Sequence, residues 1–163
     1  TAYEIPKRDW SSDVCSSDLD IDPARVALRV MTLGLGIFFL FMSLNKVAWL
    51  SNPALLSQRF ERWLPNASWY AQPYLRTVAI PGAAVFARLV PIGEFLTAMA
   101  MFTGVYTNVA AAAALFMILN FHTATSSFSS MDFMRDGTGP PMFAALLALA
   151  LVKGPLPFSL RKR

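Results

Sequence analysis

The feature that most constrains the fold of this chain is a set of four apolar stretches, at residues 26–50, 83–106, 107–124 and 140–152. A helix that crosses a bilayer needs about 20 mostly apolar residues, so the first three suffice and the fourth needs its flanking residues. Residues 95–131 contain no Asp, Glu, Lys or Arg. A soluble domain of this size does not bury so long an uncharged run. We therefore predict an all-α integral membrane protein, folded as a four-helix transmembrane bundle.

Residues 1–19 do not resemble the rest of the chain. Their sequence, TAYEIPKRDWSSDVCSSDL, matches the translation of a short-read sequencing adapter in one reading frame. We interpret residues 1–19 as a non-native, adapter-derived tail, and residues 20–163 as a single membrane domain whose native start is missing. Cys15, the one cysteine, belongs to the tail. Thiol–disulfide exchange and thiolate-held metal sites are therefore not expected of the domain.

The basic residues lie mostly at the ends of the apolar stretches. The net charge is +4, but this placement is typical of topology signals and not of a nucleic-acid site, so no nucleic-acid partner is expected. Four crossings put both termini on one side, together with Arg25, Arg29, Lys153 and residues 161–163. By the positive-inside rule we expect the N- and C-termini in the cytoplasm.

The connections between the stretches carry their own predictions. Residues 53–64 form an amphipathic pattern in the first outer loop, which predicts a short helix that either lies on the membrane surface or covers the bundle end. Trp69, Tyr70 and Tyr74 fit an aromatic belt at the bilayer boundary. Gly34 and Gly36 predict a close approach of the first helix to a neighbour. In the outer loop, Asp132, Arg135 and Asp136 are interpreted as a solvated cluster.

A few polar residues within the apolar stretches fall toward one membrane face. At about 1.5 Å per residue, Arg88 lies about 7 Å deep and Glu94 about 16 Å deep, near the midplane. An ionised carboxylate there costs about 2.5–3.5 kcal/mol, so Glu94 should face the bundle interior, paired or protonated. Its candidate partners are Lys46, Arg88, Asn120 and His122. These five residues are the candidates for handling a ligand or a proton.

Each of these candidates also has a structural explanation. Lys46 and Arg88 could extend to the headgroups, and Asn120 could make an interhelical hydrogen bond. His122 lacks the further ligands that a metal needs, so we predict no metal site. No catalytic residues can be assigned from the sequence, because it contains no nucleophile–base set and no phosphate-binding loop.

Four short motifs resemble the DoxX family of small bacterial and archaeal membrane proteins over residues 21–153. They are Ser43-Leu44-Asn45-Lys46-Val47, Pro91-x-x-Glu94, Leu119-Asn120-Phe121-His122 and Arg135-Asp136-Gly137-Thr138-Gly139-Pro140-Pro141. The resemblance implies a four-helix bundle in the bacterial cytoplasmic (inner) membrane. The family is named for a small subunit of an archaeal thiosulfate:quinone oxidoreductase, so a quinone is the implied cofactor. Relatives with thiol chemistry depend on cysteines, which this domain lacks.

Three functions remain open at this point. The first is an accessory subunit of a quinone-linked or oxidative-stress redox complex, in which the five polar residues line a pocket for a quinone headgroup or a proton. The second is a noncatalytic scaffold or assembly protein, in which they hold the helices together. The third is a small solute or proton translocator, less favoured because the chain shows no inverted repeat, although a homo-oligomer could form a path.

Overall fold

The computed structural model describes residues 22–135 and 137–160, apart from the side chains of Ser129 and Asp132. These residues form helices and turns and contain no strand. The predicted tail and residues 161–163 lie outside what is described, as do Asp136 and the side chain of Asp132 from the predicted loop cluster. The helices are α1 (Pro23–Leu44), α2 (Val47–Ser51), α3 (Ala54–Trp63), α4 (Ala71–Tyr74), a π-helical turn (Leu75–Ala79), α5 (Ala83–Thr103), α6 (Thr107–Ala124), α7 (Met131–Arg135) and α8 (Pro140–Leu151).

Three helices, α1, α5 and α6, are long and apolar enough to cross a membrane. Only about a third of the residues in their most apolar segments are buried inside the protein. Large apolar side chains such as Phe41, Leu96 and Phe116 point outward instead. Water-soluble monomers rarely expose apolar surface on this scale, whereas lipid tails solvate it without cost. These properties are those of an integral membrane protein.

The fourth apolar stretch forms α8, whose 12 residues extend about 18 Å, less than the roughly 30 Å of a hydrocarbon core. The chain before α8 contacts the end of α6, where the Thr138 carbonyl lies 3.0 Å from His122 Nε2. The chain after α8 contacts the start of α1, where Arg25 Nη2 donates to the Lys153 carbonyl at 2.8 Å. The chain thus returns to the end of the molecule where α1 begins, while a fourth crossing remains a prediction.

The first apolar stretch is broken, although the sequence predicts one helix over residues 26–50. Helix α1 ends at Leu44, and Lys46 adopts a non-helical backbone conformation with φ −109° and ψ 3°. Its N–H donates to the Ser43 carbonyl at 3.0 Å, which tightens the last turn before α2 starts at Val47. This break leaves Lys46 between α1 and α2, outside both helices.

The core consists of two clusters along the bundle. The first lies between α1, α5, α6 and α8 and includes Phe39, Met101 and Leu146. The second lies beneath α3 and α4 and includes Trp49, Phe60 and Leu75. Fully buried alanines line both clusters, namely Ala71, Ala79, Ala87, Ala98, Ala111 and Ala114. Such small residues let helix backbones approach closely, which favours association in lipid through dispersion contacts.

Helix α3 matches the predicted amphipathic helix and covers one end of the bundle. Its apolar residues Leu56 and Phe60 are buried in the second core cluster. Arg59, Glu61 and Arg62 point outward. Of the two alternatives that the sequence leaves open, the structure favours the cover.

At the opposite end of the bundle, two arginines bind backbone carbonyls. Arg29 is buried and donates to the carbonyls of Met101 at 2.7 Å and Phe102 at 2.6 Å, near the end of α5. Arg25 donates to the carbonyls of Lys153 and Pro155. A cation at a helix C-terminus satisfies carbonyls that lack an intrahelical donor and opposes the negative end of the helix dipole. Both residues therefore have a structural role in addition to any role in topology.

Candidate functional site

A cavity of about 430 Å³ lies among α1, α2, α3, the π-helical turn, α5 and α6. Its walls are mainly aromatic and aliphatic, with Phe39, Trp49, Phe60, Phe86 and Phe116 among them. The polar residues that line it include Lys46, Tyr74, Glu94, Asn120, His122 and Thr138. Ligand pockets commonly have this size and this composition, with a few convergent polar groups on apolar walls. The cavity is therefore the candidate functional site.

An ion pair between Lys46 and Glu94 forms part of the cavity wall. Lys46 Nζ lies 2.5 Å from Glu94 Oε1, and both residues are buried. The break after α1 turns Lys46 toward α5, on which Glu94 lies one turn beyond Pro91. Next to the pair, Ser43 Oγ donates to the Pro91 carbonyl at 2.9 Å and ties the end of α1 to α5. A buried carboxylate needs such a partner, because an unpaired charge is costly in a medium of low dielectric constant.

Trp49 packs beside the ion pair and links it to α3. Lys46 Nζ lies 5.8 Å from the centroid of the Trp49 ring, and Arg59 Cζ lies 5.3 Å from it. Cations within about 6 Å of an aromatic face are attracted by its electron density. The indole therefore helps to hold the Lys46 side chain in place within an otherwise apolar wall.

Asn120 is bonded to a tyrosine from the first outer loop. Tyr74 donates its hydroxyl hydrogen to Asn120 Oδ1 at 3.0 Å, and Asn120 Nδ2 donates to the Phe116 carbonyl at 2.8 Å. Burial raises the pKa of the Tyr74 phenol, which keeps the hydroxyl protonated and able to donate. Asn120 thus makes the interhelical hydrogen bond that was its structural alternative, while also lining the cavity.

His122 is enclosed by aromatic rings, with only 1% of its surface exposed. Its Nε2 lies 3.0 Å from the Thr138 carbonyl. Because a carbonyl only accepts, Nε2 carries the proton and Nδ1 is left as an acceptor. The rings of Phe121, Phe128, Phe133 and Phe143 lie 5.0–5.8 Å from the imidazole, centroid to centroid.

Two buried acceptor atoms beside the cavity have no hydrogen-bond donor among the described residues. They are Glu94 Oε2 and His122 Nδ1. A buried acceptor without a partner costs free energy, so each such atom calls for a specific explanation, such as a ligand or an ordered water. Both residues line the cavity, so a hydroxyl-bearing ligand is a chemically suitable source of donors.

Arg88 does not join the other four candidate residues. Its side chain is exposed, and its Nη1 donates to the Ala84 carbonyl of its own helix at 3.0 Å. The helical repeat explains this, because six residues turn Arg88 about 120° away from Glu94 around α5. The structure therefore brings Lys46, Glu94, Asn120 and His122 to one cavity and leaves Arg88 on the outer face.

Sequence reasoning missed three residues that shape the site. Tyr74 was assigned to the aromatic belt at the bilayer boundary. Trp49 lies inside an apolar stretch, and Ser43 is a small polar residue at the end of a predicted helix, so neither stands out as a site residue. Trp49 follows Lys46 by three positions, which is the one local signal that the two could meet on a helical turn. The Ser43 and Tyr74 partners are distant in sequence, at separations of 48 and 46 residues.

Neither metal ligands nor known relatives identify the site. Within residues 22–135 and 137–160, no three His, Cys, Asp or Glu side chains group so that they could hold a metal ion. Comparison with protein-family models, with curated proteins and with solved structures gives no match for this chain. The cavity and its side chains are therefore the features from which a function can be inferred.

Proposed function

We propose that this protein is an accessory membrane subunit of a quinone-linked or oxidative-stress redox system, and that its cavity binds the headgroup of a quinone. The observation that carries the proposal is the 430 Å³ cavity with a buried Lys46–Glu94 pair in its wall. The resemblance to the DoxX family adds the quinone-linked context. Electrons would come from a partner subunit, because the chain itself offers no redox-active thiol pair.

The chemistry of the lining suits a planar ring with two oxygens. Phe39, Trp49 and Phe116 offer aromatic surface against which a flat ring can pack. The Lys46 ammonium can donate a hydrogen bond to a quinone carbonyl in addition to its bond with Glu94, because it has three donors. The apolar remainder of the cavity excludes water, which strengthens such bonds.

The reduced form of the ligand has complementary chemistry. A hydroquinone carries two hydroxyl donors, and Glu94 Oε2 and His122 Nδ1 are acceptors in need of donors. Binding of the hydroquinone is therefore expected to depend on Glu94 and His122, whereas binding of the quinone depends on Lys46. A different residue dependence for the oxidised and the reduced ligand is not expected if the polar residues have only a structural role, so measuring it tests the proposal.

The first experiment measures quinone binding to the full chain in lipid nanodiscs. The probe is decyl-benzoquinone, and the readout is quenching of the fluorescence of Trp49 and Trp63, both of which line the cavity, in a Trp10→Phe/Trp69→Phe background. We expect Lys46→Met to weaken binding of the oxidised probe at least tenfold, and Glu94→Gln or His122→Ala to weaken the reduced probe similarly. Arg88→Ala is the matched control and should have no effect. Equal affinities in all variants would reject the proposal.

The second experiment measures quinone-dependent reduction in native membranes that carry Glu94→Gln or His122→Ala. We expect turnover per folded molecule to fall.

Normal turnover in both variants would favour the second candidate, a noncatalytic scaffold. A specific observation supports that alternative, since the Ser43–Pro91 and Tyr74–Asn120 bonds join different segments of the bundle. The scaffold predicts less folded protein in Glu94→Gln, with unchanged turnover per molecule.

The proposed location is the bacterial cytoplasmic membrane, with both termini in the cytoplasm. The bonds from Arg25 to the chain after α8 support a shared side for the two ends. A C-terminal green fluorescent protein fusion should therefore fluoresce, and a C-terminal alkaline phosphatase fusion should be inactive. An N-terminal pair of fusions should behave in the same way. Opposite results at the two ends would mean that α8 does not complete a crossing.

A further inference from the structure

We infer that the cavity opens sideways into the hydrocarbon of the bilayer, through a gap between the π-helical turn, α5 and α6. Its occupant is then an amphiphile dissolved in the membrane, whose polar head lies near Lys46 and Glu94 and whose long alkyl or isoprenoid tail leaves through the gap. The chemical identity of the amphiphile's polar headgroup rests on the proposed function. The route and the tail rest on the geometry alone.

The rim of this gap consists of apolar residues that face both the cavity and the outside. Val78, Leu89 and Phe116 all line the cavity. They are also 45%, 59% and 66% exposed. A residue that lines a cavity and is this exposed lies at the edge of an opening or where the wall is one side chain thick. Because the rim is formed by three separate elements, it is a gap between helices and not a dent in one helix face.

The depth of the rim puts the opening among lipid tails. Leu89 lies six residues into α5, about 9 Å from its start, and Phe116 lies eight residues before the end of α6, about 12 Å from it. The headgroup layer on each side of a bilayer is only about 5–8 Å thick. If α5 and α6 cross the membrane with those ends at the boundary, Leu89 and Phe116 contact hydrocarbon.

The cavity is closed on two further sides, although Phe121, which also lines it, is 45% exposed near the end of α6. On the water-facing side, α3 covers it with Leu56 and Phe60, which are only 3% and 8% exposed. Toward the bilayer centre, α5 and α6 approach closely, since a Cβ added to Gly93 would lie 3.0 Å from Met117 Sδ. Gly93 immediately precedes Glu94, so the gap closes beside the ion pair. An amphiphile entering from the lipid would thus meet the polar pair at the closed end.

The test is photocrosslinking of the full chain in nanodiscs made with a phosphatidylcholine that carries a diazirine in its acyl chain. Adducts are located by peptide mass spectrometry. We expect them not only on outward residues such as Val85 and Phe95 but also on Trp49, Leu56 or Phe60, which are buried and line the cavity. Adducts confined to outward residues would overturn the inference.

Substitutions at the rim should change the yield of internal adducts in opposite directions. Val78→Phe narrows the gap and should lower the yield of internal adducts at least threefold, while Phe116→Ala widens it and should raise the yield. Val85→Phe and Phe95→Ala make the same changes at exposed positions outside the cavity and should leave the yield unchanged. A yield of internal adducts that neither rim substitution changes would contradict a lateral entrance.

The two proposals can fail separately. Quinone binding without internal lipid adducts would keep the proposed function and reject the lateral opening. Internal adducts without quinone binding would keep the opening and reject the quinone. Neither measurement depends on the other, because the lipid probe carries no quinone.

Discussion

Lys46 and Glu94 form a buried ion pair although they are 48 residues apart in sequence. Lys46 lies in the break between α1, which ends at Leu44, and α2, which starts at Val47. Glu94 lies on α5, a helix apolar and long enough to span the bilayer. The pair thus joins the end of one helix to the interior of another, at the wall of the cavity.

Removing only one member of this pair should destabilise the protein more than removing both charges. Lys46→Met leaves the Glu94 carboxylate buried and unpaired, which should lower the free energy of unfolding by about 3–5 kcal/mol. The double variant Lys46→Met/Glu94→Gln has no charge to bury and should recover much of that loss. The measurement is SDS-induced unfolding in mixed micelles. A double variant no more stable than Lys46→Met would contradict the role assigned to the pair.

The loss of Arg29 should destabilise the bundle at the end far from the cavity. Arg29→Ala removes the hydrogen bonds to the Met101 and Phe102 carbonyls, and we expect a cost of about 2 kcal/mol or more. Arg88→Ala is the matched control, because that exposed arginine bonds, among the described residues, only to its own helix. Its effect should stay within about 0.5 kcal/mol. Thermal unfolding in detergent compares the two. Equal effects would mean that Arg29 acts as a topology signal alone.

Gly34 and Gly36 should respond differently to the same substitution. A Cβ on Gly36 would lie 2.9 Å from Phe102 Cε1, whereas a Cβ on Gly34 meets nothing within 4 Å. Gly36→Ala should therefore lower the thermal midpoint by forcing the Phe102 ring to shift. Gly34→Ala should leave it unchanged or raise it, because alanine favours a helix over glycine by up to about 1 kcal/mol. The opposite order would contradict the packing of α1 on α5.

The Tyr74–Asn120 bond can be measured with a double-mutant cycle. Tyr74→Phe, Asn120→Ala and the double variant give a coupling energy for the hydroxyl–amide contact. Interhelical hydrogen bonds in membrane proteins average about 0.6 kcal/mol, and we expect a coupling of that size. The readout is the free energy of unfolding in mixed micelles. A coupling indistinguishable from zero would mean that the two side chains do not bond in the folded protein.

The sequence predicted the positions of the helices better than their continuity. The predicted start at residue 83 and the bounds 107–124 agree with α5 and α6, and the amphipathic residues 53–64 agree with α3. The break at Asn45–Lys46 was not predicted, because no proline or glycine marks it and apolar residues continue on both sides of it. Of the two glycines predicted to make a close approach, Gly36 does and Gly34 does not.

For the site, the sequence identified polar residues but not their partners. The cost of burying a charge in lipid was enough to single out Glu94 and to require a partner for it. Helical periodicity was enough to disfavour Arg88 as that partner. Neither could choose among Lys46, Asn120 and His122, because none of the three lies on α5 with Glu94 and their distances to Glu94 depend on how the helices pack.

The amino-acid sequence alone was enough to predict that this protein is helical and surrounded by lipid. Hydropathy and helical periodicity are local properties, and a stretch of about twenty residues is long enough to show both. Only the tertiary structure decided which polar side chains share a cavity, where that cavity opens, and which arginines bind carbonyls. Those outcomes depend on contacts between segments tens of residues apart, which no local pattern in the sequence specifies.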